Sequence, residues 1–354
     1  MMKYSIYRLS FLMMLALETV AQSGVEWSEL PPLPGGKGWA GLYAGVSHGA
    51  LLCLGGANFP DRYPWEGGKK KWYDDIYVLA DGKNWQKAAE KLPEPSGYGV
   101  SVSYQNTIIL IGGSTESGHL KRVVGYEWNG KNLVKSSYPD LPVALANMAG
   151  TLVGDAIVVA GGVSSPTGTP LKKCYGLNLK NRSNGWFEIE PWPGPERQFP
   201  VCTVYQGQFY LFSGETVGVN SRGEKYRAIL LDAYRLHLEP KEDQWVGSWQ
   251  TLAPMPRGMS AGGTVLPVLN NDRFLFWGGV DAVTAAYKTP ATHPGIIQSL
   301  LFYFPETDSW EFIGQQTQFA ARVTLPVVFW NNRWLYVSGE IKPGIRTPSV
   351  VSIK

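Results

Sequence analysis

Ile157-Val158-Val159-Ala160-Gly161-Gly162 reads as a hydrophobic strand that stops at paired small residues. The phrase recurs five more times. Leu51-Leu52-Cys53-Leu54-Gly55-Gly56 and Ile108-Ile109-Leu110-Ile111-Gly112-Gly113 precede it. Phe209-Tyr210-Leu211-Phe212-Ser213-Gly214, Phe274-Leu275-Phe276-Trp277-Gly278-Gly279 and Trp334-Leu335-Tyr336-Val337-Ser338-Gly339 follow. A phrase repeated at such regular distances is the mark of a repeat architecture, which has to be settled before any single segment is assigned.

The copies lie roughly 50–65 residues apart, close to the kelch repeat length of about 50. Most sit in similar surroundings. Upstream is a strand of small residues, such as Gly99-Val100-Ser101-Val102 or Ala261-Gly262-Gly263-Thr264; downstream is a third strand, such as Asp75-Ile76-Tyr77-Val78 or Leu300-Leu301-Phe302-Tyr303. Trp85, Trp186, Trp249 and Trp310 introduce a fourth, and Leu-Pro or Met-Pro turns follow at Leu92-Pro93, Leu141-Pro142 and Met255-Pro256. Four antiparallel strands repeated radially make a propeller blade. The glycine pairs suit places where backbones approach too closely for a side chain. The last unit ends at Pro348–Ile353, a third strand with no fourth, while Val25–Pro34 reads as a fourth strand with no blade. Joining the two closes the ring and removes an exposed edge. The expected fold is therefore all-β, a six-bladed kelch-type β-propeller closed by an N-terminal strand and occupying residues 22–354.

Composition agrees. The chain has 354 residues with 41 Gly, 25 Pro, 14 Trp and 18 Tyr, which suits an all-β protein rich in tight turns. A net charge of +3 points to no nucleic-acid partner, and Lys69-Lys70-Lys71 reads as a solvated loop. Residues 1–21 have the order of a secretory signal: Lys3 and Arg8, an apolar core from Leu9 to Leu17, then Thr19-Val20-Ala21. A periplasmic or secreted location is expected. No cysteine follows that core and no later segment is long and apolar enough to span a bilayer, so no membrane anchor is expected. Cys53, Cys174 and Cys202 lie within separate strands and are expected to be free and buried. His48, His119, His237 and His293 are isolated, without metal-ligand spacing. No cofactor or metal is expected.

In an up-and-down blade, the turn after the second strand shares a face with the connection entering the next blade. The glycine-pair ends and the long loops at 57–72, 215–228 and 280–298 therefore meet at one mouth of the central channel, where loops on a rigid scaffold usually carry ligand chemistry. Asn58, Arg197, Glu215, Arg257, Asp281, Arg322, Glu340 and Arg346 are the polar candidates there. Glu340 and Arg346 stand out because a Lys342-Pro343-Gly344 turn brings the arginine back towards the carboxylate. Glu215 follows the same Ser-Gly pattern but lacks that turn.

Gly339-Glu340-Ile341-Lys342-Pro343-Gly344-Ile345-Arg346-Thr347 resembles the motif of bacterial N-acetylneuraminate epimerases (sialic acid mutarotases), which are six-bladed kelch propellers. The wider pattern is similar in rotated order, as in a cyclically permuted branch: residues 41–113 resemble the family's last blades, and the stretch from Pro195-Glu196-Arg197 its early ones. The resemblance implies exchange of the α and β anomers of N-acetylneuraminate without a cofactor. It places the family's glutamate and arginine on Glu340, as general base, and Arg346, on the substrate carboxylate. Arg197, Asn58, Arg257 and Arg322 are expected to complete the pocket, with Glu215 or Asp281 as possible partners in proton transfer. Two other classes stay open: a non-catalytic kelch module binding glycan or protein, and a sialoside hydrolase, which calls for a second carboxylate or a tyrosine nucleophile. A kelch-type copper oxidase needs clustered His and Tyr ligands, which the scattered histidines do not provide.

Overall fold

The computed structural model describes residues 24–241 and 244–354; the expected export segment, 1–21, lies outside them. Six four-stranded antiparallel sheets form six blades. Their second strands are Ala50–Leu54, Thr107–Ile111, Ala156–Ala160, Gln208–Phe212, Arg273–Trp277 and Arg333–Val337. These are the apolar phrases of the sequence, and they lie inside their sheets. A strand covered on both faces needs no alternation of polar residues, which is why the runs are continuous.

Blade 6 closes as expected. Its outer strand, Trp27–Leu30, pairs antiparallel with Val350–Ile353, with Trp27 opposite Ile353 and Leu30 opposite Val350. Val350–Ile353 in turn pairs with Trp334–Val337. The Trp27 ring meets Trp277 edge-on, with centroids 4.8 Å apart, so the closing strand also packs against blade 5.

Six apolar clusters hold the blades together, one at each blade-to-blade contact. Blades 3 and 4 share Val158, Ile189, Trp192, Phe209 and Leu211, for example, while blades 6 and 1 share Leu335, Val337, Leu51 and Cys53. The other four contacts are built alike. The recurrent tryptophans add a polar tie. Trp85, Trp186, Trp249 and Trp310 each donate an indole N–H to a carbonyl just past the outer strand of the preceding blade: Pro31, Pro139, Glu190 and Ala253. Cys53, Cys174 and Cys202 are free and buried, and burial raises all three thiol pKa values.

The axis is built from backbone. One residue ahead of each blade has positive φ: Gly41, Tyr98, Asn147, Phe199, Ala261 and Thr324. Each donates its N–H to the carbonyl of the previous member, at 2.6–2.9 Å, and the chain of bonds closes from Gly41 to Thr324. All six line one narrow axial cavity of about 40 Å³. A second circle lies beside the first. The residue before each ring member bridges to the residue after a glycine pair: Ala40 to Ala57, Gly97 to Ser114, Ala146 to Val163, Gln198 to Glu215, Ser260 to Val280 and Val323 to Glu340. The expected loop at 57–72 begins and ends as a short hairpin, Ala57–Asn58 with Lys71–Trp72. The loop at 280–298 carries a helical turn, Ala282–Ala286.

The glycine pairs can be tested by contrast. A Cβ on Gly113, at φ +112°, would lie 2.0 Å from the Tyr43 hydroxyl and 2.7 Å from the Gly97 carbonyl. Gly207, in a hairpin turn at φ +71°, has nothing within 4 Å of such a Cβ. Gly207→Ala is expected to cost only the left-handed backbone penalty, about 1 kcal/mol. Gly113→Ala adds a clash with backbone and is expected to cost at least about 3 kcal/mol in urea unfolding. Equal losses would mean that the close approach at the pair contributes nothing.

Candidate functional site

Position 340 is one of six equivalent places where a blade's second strand has just left the sheet. Both backbone groups of Glu340 are bonded to Val323, N–H to carbonyl in each direction at 2.9 Å. A tight hairpin follows, Glu340–Lys342 with Ile345–Arg346, in which Glu340 stands directly opposite Arg346. Its base is tied down by Ser338, whose hydroxyl donates to the Thr347 carbonyl at 2.7 Å. Its tip is fitted under another loop. Gly344, at φ +79°, leaves no room for a Cβ, which would lie 2.6 Å from the Pro64 ring.

The hairpin holds an ion pair. Arg346 Nη2 donates to Glu340 Oε2 at 2.7 Å, with side-chain exposures of 6% and 19%. The guanidinium plane lies 4.7 Å from the Phe59 ring. Arg346 Nε and Nη1 are buried without a hydrogen-bond partner. Buried donors are normally satisfied, so a guanidinium with two idle nitrogens is prepared for an acceptor that the protein does not supply. Burial pushes the Glu340 carboxyl above its usual range, against the opposing pull of Arg346, the Gly344 N–H and Lys70. A carboxyl poised in this way is suited to taking and returning a proton.

Two recesses bear on the pair, one lined by Arg346 and the other by Lys70, while Glu340 lines neither. Arg346 lines the smaller, about 330 Å³, with Asn58, Phe59, Arg62 and Glu66. The larger, about 770 Å³, opens at the channel mouth and is lined by Lys70, Trp72, Tyr98, Asn147 and His119. Among the described residues, no group of three or more His, Cys, Asp or Glu is placed to hold a metal ion.

Asn58 reaches the site but is already engaged, donating to the Gly38 carbonyl and accepting from the Tyr73 hydroxyl. The other three expected pocket arginines require correction. Arg197 is fully buried, bonded to Asp232 at 2.7 and 2.8 Å and to the Ser213 carbonyl, and stacked between Trp192 and Tyr234. Arg322 donates to the Ser338 and Ser349 carbonyls, and Arg257 to Ser299 and the Gly258 and Gly278 carbonyls. Burial lowers the pKa of both Arg257 and Arg322 to about 10. None of these three arginines lines either recess. Their side chains fill the scaffold, because a sequence does not say on which side of a turn a long side chain leaves.

The candidate partner carboxylates are also occupied. Glu215 accepts from Arg227, Ser260 and Gln198, and Asp281 caps the turn Ala282–Ala286 through the Thr284 N–H. Conversely, Lys70 does not read true as a solvated loop residue. Its ammonium lies 4.3 Å from the Trp72 ring and 4.1 Å from the Tyr98 ring, facing the larger recess. The one signal for this in the sequence is the Trp72-Tyr73 pair that follows the lysine run.

The sequence model of the N-acetylneuraminate epimerase family matches residues 14–134 and 138–292. An N-acetylneuraminate epimerase of Haemophilus influenzae (strain PittEE) is 31% identical over 231 residues, covering 60% of this chain and 57% of that protein. An N-acetylneuraminate epimerase of Salmonella enteritidis PT4 (strain P125109) is 47% identical over 103 residues, 26% of each chain. The matched stretches thus span less than two thirds of these relatives' length. Among solved structures, that of YjhT superposes with a TM-score of 0.66 at 15% identity, covering 92% of this chain and 100% of that one. The hairpin bearing Glu340 and Arg346 lies beyond the blocks matched by the family model.

Replacing Arg346 by Met leaves the Glu340 carboxyl in place and removes its counter-charge. The Glu340 pKa is then expected to rise further, so that ionised Glu340 at pH 7 becomes an uncompensated buried charge. A group with a raised folded pKa favours the native state only while protonated, and that benefit is lost as pH rises through the folded value. Urea unfolding is therefore expected to show a loss of about 3 kcal/mol at pH 7 and clearly less at pH 5. An equal loss at both pH values would mean that Arg346 contributes packing rather than charge.

Proposed function

The chain belongs to the N-acetylneuraminate epimerase family, and from that premise we propose that it interconverts the α and β anomers of N-acetylneuraminate at the Glu340–Arg346 hairpin. One observation carries the reading: a largely buried carboxylate paired to an arginine that keeps two unpartnered guanidinium nitrogens. A 2-keto sugar acid offers both complements. Its carboxylate matches the planar guanidinium, and its anomeric hydroxyl is the proton that a base such as Glu340 must take.

Ring opening moves that proton to Glu340 while an acid protonates the ring oxygen, and the bond from the anomeric carbon to the ring oxygen breaks. The open-chain keto acid turns about the bond to its carbonyl carbon and recloses on the other face, reversing both transfers. No redox partner is needed. Phe59 backs the guanidinium, and the aromatic wall of the recess at Trp72 and Tyr98 offers apolar surface for a sugar ring. The charged-apolar-small order of residues 1–21 supports an exported protein acting in the periplasm or outside the cell.

Freshly released α-N-acetylneuraminate, followed by proton NMR, tests this. The unaltered protein is expected to accelerate equilibration, and Glu340→Gln to lower kcat/KM by about 10²–10⁴-fold. Glu215→Gln is expected to retain turnover while losing stability. Absence of acceleration by the unaltered protein, or full activity in Glu340→Gln, would sink the proposal. Cleavage of sialyl-lactose in the same assay would move the reading to a hydrolase.

A further inference from the structure

Mutarotation moves two protons, one off the anomeric hydroxyl and one onto the ring oxygen, and the Glu340–Arg346 pair accounts for the first. We propose that Lys70 is the second proton carrier, the acid that serves the ring oxygen while Glu340 acts as base; this rests on the epimerase reading of the same mouth.

The first ground is position. Lys70 precedes Lys71–Trp72, whose pairing with Ala57–Asn58 fixes the end of the loop. Trp72 and Tyr98, packed edge-to-face with centroids 5.5 Å apart, then hold the ammonium against both rings, 4.3 and 4.1 Å from their centroids. Tyr98 is itself immobilised, as a member of the axial ring whose N–H donates to Gly41 at 2.6 Å. Both aromatic residues and Lys70 line the larger recess.

The second ground is unused capacity. Cation–π contact stabilises an ammonium without consuming its N–H donors. Among the described residues Lys70 makes no ion pair and no side-chain hydrogen bond; Lys69 and Lys71 beside it make none either, but both are exposed, whereas Lys70 is packed against Trp72 and Tyr98. A proton donor facing a recess with no acceptor of its own is placed to use one on a ligand.

The third is charge. Burial and Arg346 lower the Lys70 pKa to about 8, against the opposing pull of Glu340. The ammonium is therefore protonated at neutral pH but gives up its proton far more readily than an ordinary lysine. The other titratable groups facing it are Tyr98, whose phenol burial raises to about 12, and Lys69, Glu116 and His119 along the recess. His119 is the rival: both ring nitrogens are buried without a partner, and burial lowers its pKa, leaving it neutral at pH 7. A neutral imidazole is the weaker choice for the acid. In the forward step the Lys70 ammonium gives a proton to the ring oxygen as Glu340 receives one from the anomeric hydroxyl. On reclosure both return, so the enzyme ends unchanged.

The test is the pH profile of α-N-acetylneuraminate equilibration for the unaltered protein, Lys70→Met, Lys70→Arg, Lys70→Ala and His119→Gln, with circular dichroism to verify folding. The unaltered protein is expected to lose kcat as pH rises through about 8, where Lys70 deprotonates. Lys70→Met and Lys70→Arg are both expected to lower kcat at least about tenfold with little change in KM, and to remove that alkaline limb. Added propylamine should restore part of kcat in Lys70→Ala. A rise in KM alone, with kcat and the limb intact, overturns the inference, as does a limb that disappears in His119→Gln instead. No acceleration by the unaltered protein overturns the epimerase reading itself and this inference with it.

Discussion

Six peptide groups, each donating to the last around the axis, are the constraint on which the rest of the molecule depends. The circle from Gly41 through Tyr98, Asn147, Phe199 and Ala261 to Thr324 is complete, and each bond is 2.6–2.9 Å. It is not a large source of stability. A hydrogen bond contributes about 1 kcal/mol net, while five of the six residues hold a left-handed backbone without being glycine, at about 1–2 kcal/mol each. The two terms roughly cancel. Cohesion comes from the six apolar clusters between blades, and the circle sets where each blade begins.

That setting reaches the candidate site through one further bond. The neighbour of each ring residue bridges to the residue after a glycine pair, so those six positions are spaced by the axis and not by loop packing. Ala57, Ser114, Val163, Glu215, Val280 and Glu340 occupy them. A carboxylate placed there stands on rigid backbone at the end of a core strand, which is the support that a proton-transfer group needs. The loops then only have to bring partners: Arg346 from the same hairpin, Phe59 and Lys70 from the hairpin of blade 1.

Much of this was legible in the residues, for definite reasons. The six glycine-pair phrases, the unpaired Val350–Ile353 and the orphan strand at Trp27 identify blades and closure, because core strands and close backbone contacts leave few choices of residue. Glu340 and Arg346 were legible because a Lys-Pro-Gly turn fixes which residues face each other. The axial circle was not, since Tyr98, Phe199 and Thr324 carry no mark of positive φ. Arg197 and Arg322 were misplaced for a related reason. Both stand two residues before a ring member, and both donate to the carbonyl of the serine in a Ser-Gly pair, Ser213 and Ser338. They are one scaffold feature used in blades 4 and 6, and it resembles a pocket arginine until the blades are assembled. Lys70 escaped in the opposite direction. A run of three lysines reads as solvated, and only the fold brings Tyr98, 28 positions further along the chain, against it.

The two Ser-Gly-Glu blades differ in how fully their glutamates are engaged. Glu215 and Glu340 have the same backbone bridges and the same place after the glycine. Around Glu215 the acceptors are used: two bonds from Arg227, one from Ser260 and one from Gln198, and the Arg227 side chain is 44% exposed, so water can complete it. Removing or adding a proton there breaks bonds already made. Around Glu340 the balance is reversed. Its arginine is 6% exposed and has two donors with nowhere to go, Lys70 has donors free of any protein acceptor, and burial makes the proton easier to hold. Among the described residues, the unmet groups on Arg346 and Lys70 are donors seeking oxygen, beside one carboxylate whose pKa is raised. On the reading proposed above, a sugar acid supplies oxygen to both kinds of group at once, which a simple anion or a neutral sugar does not.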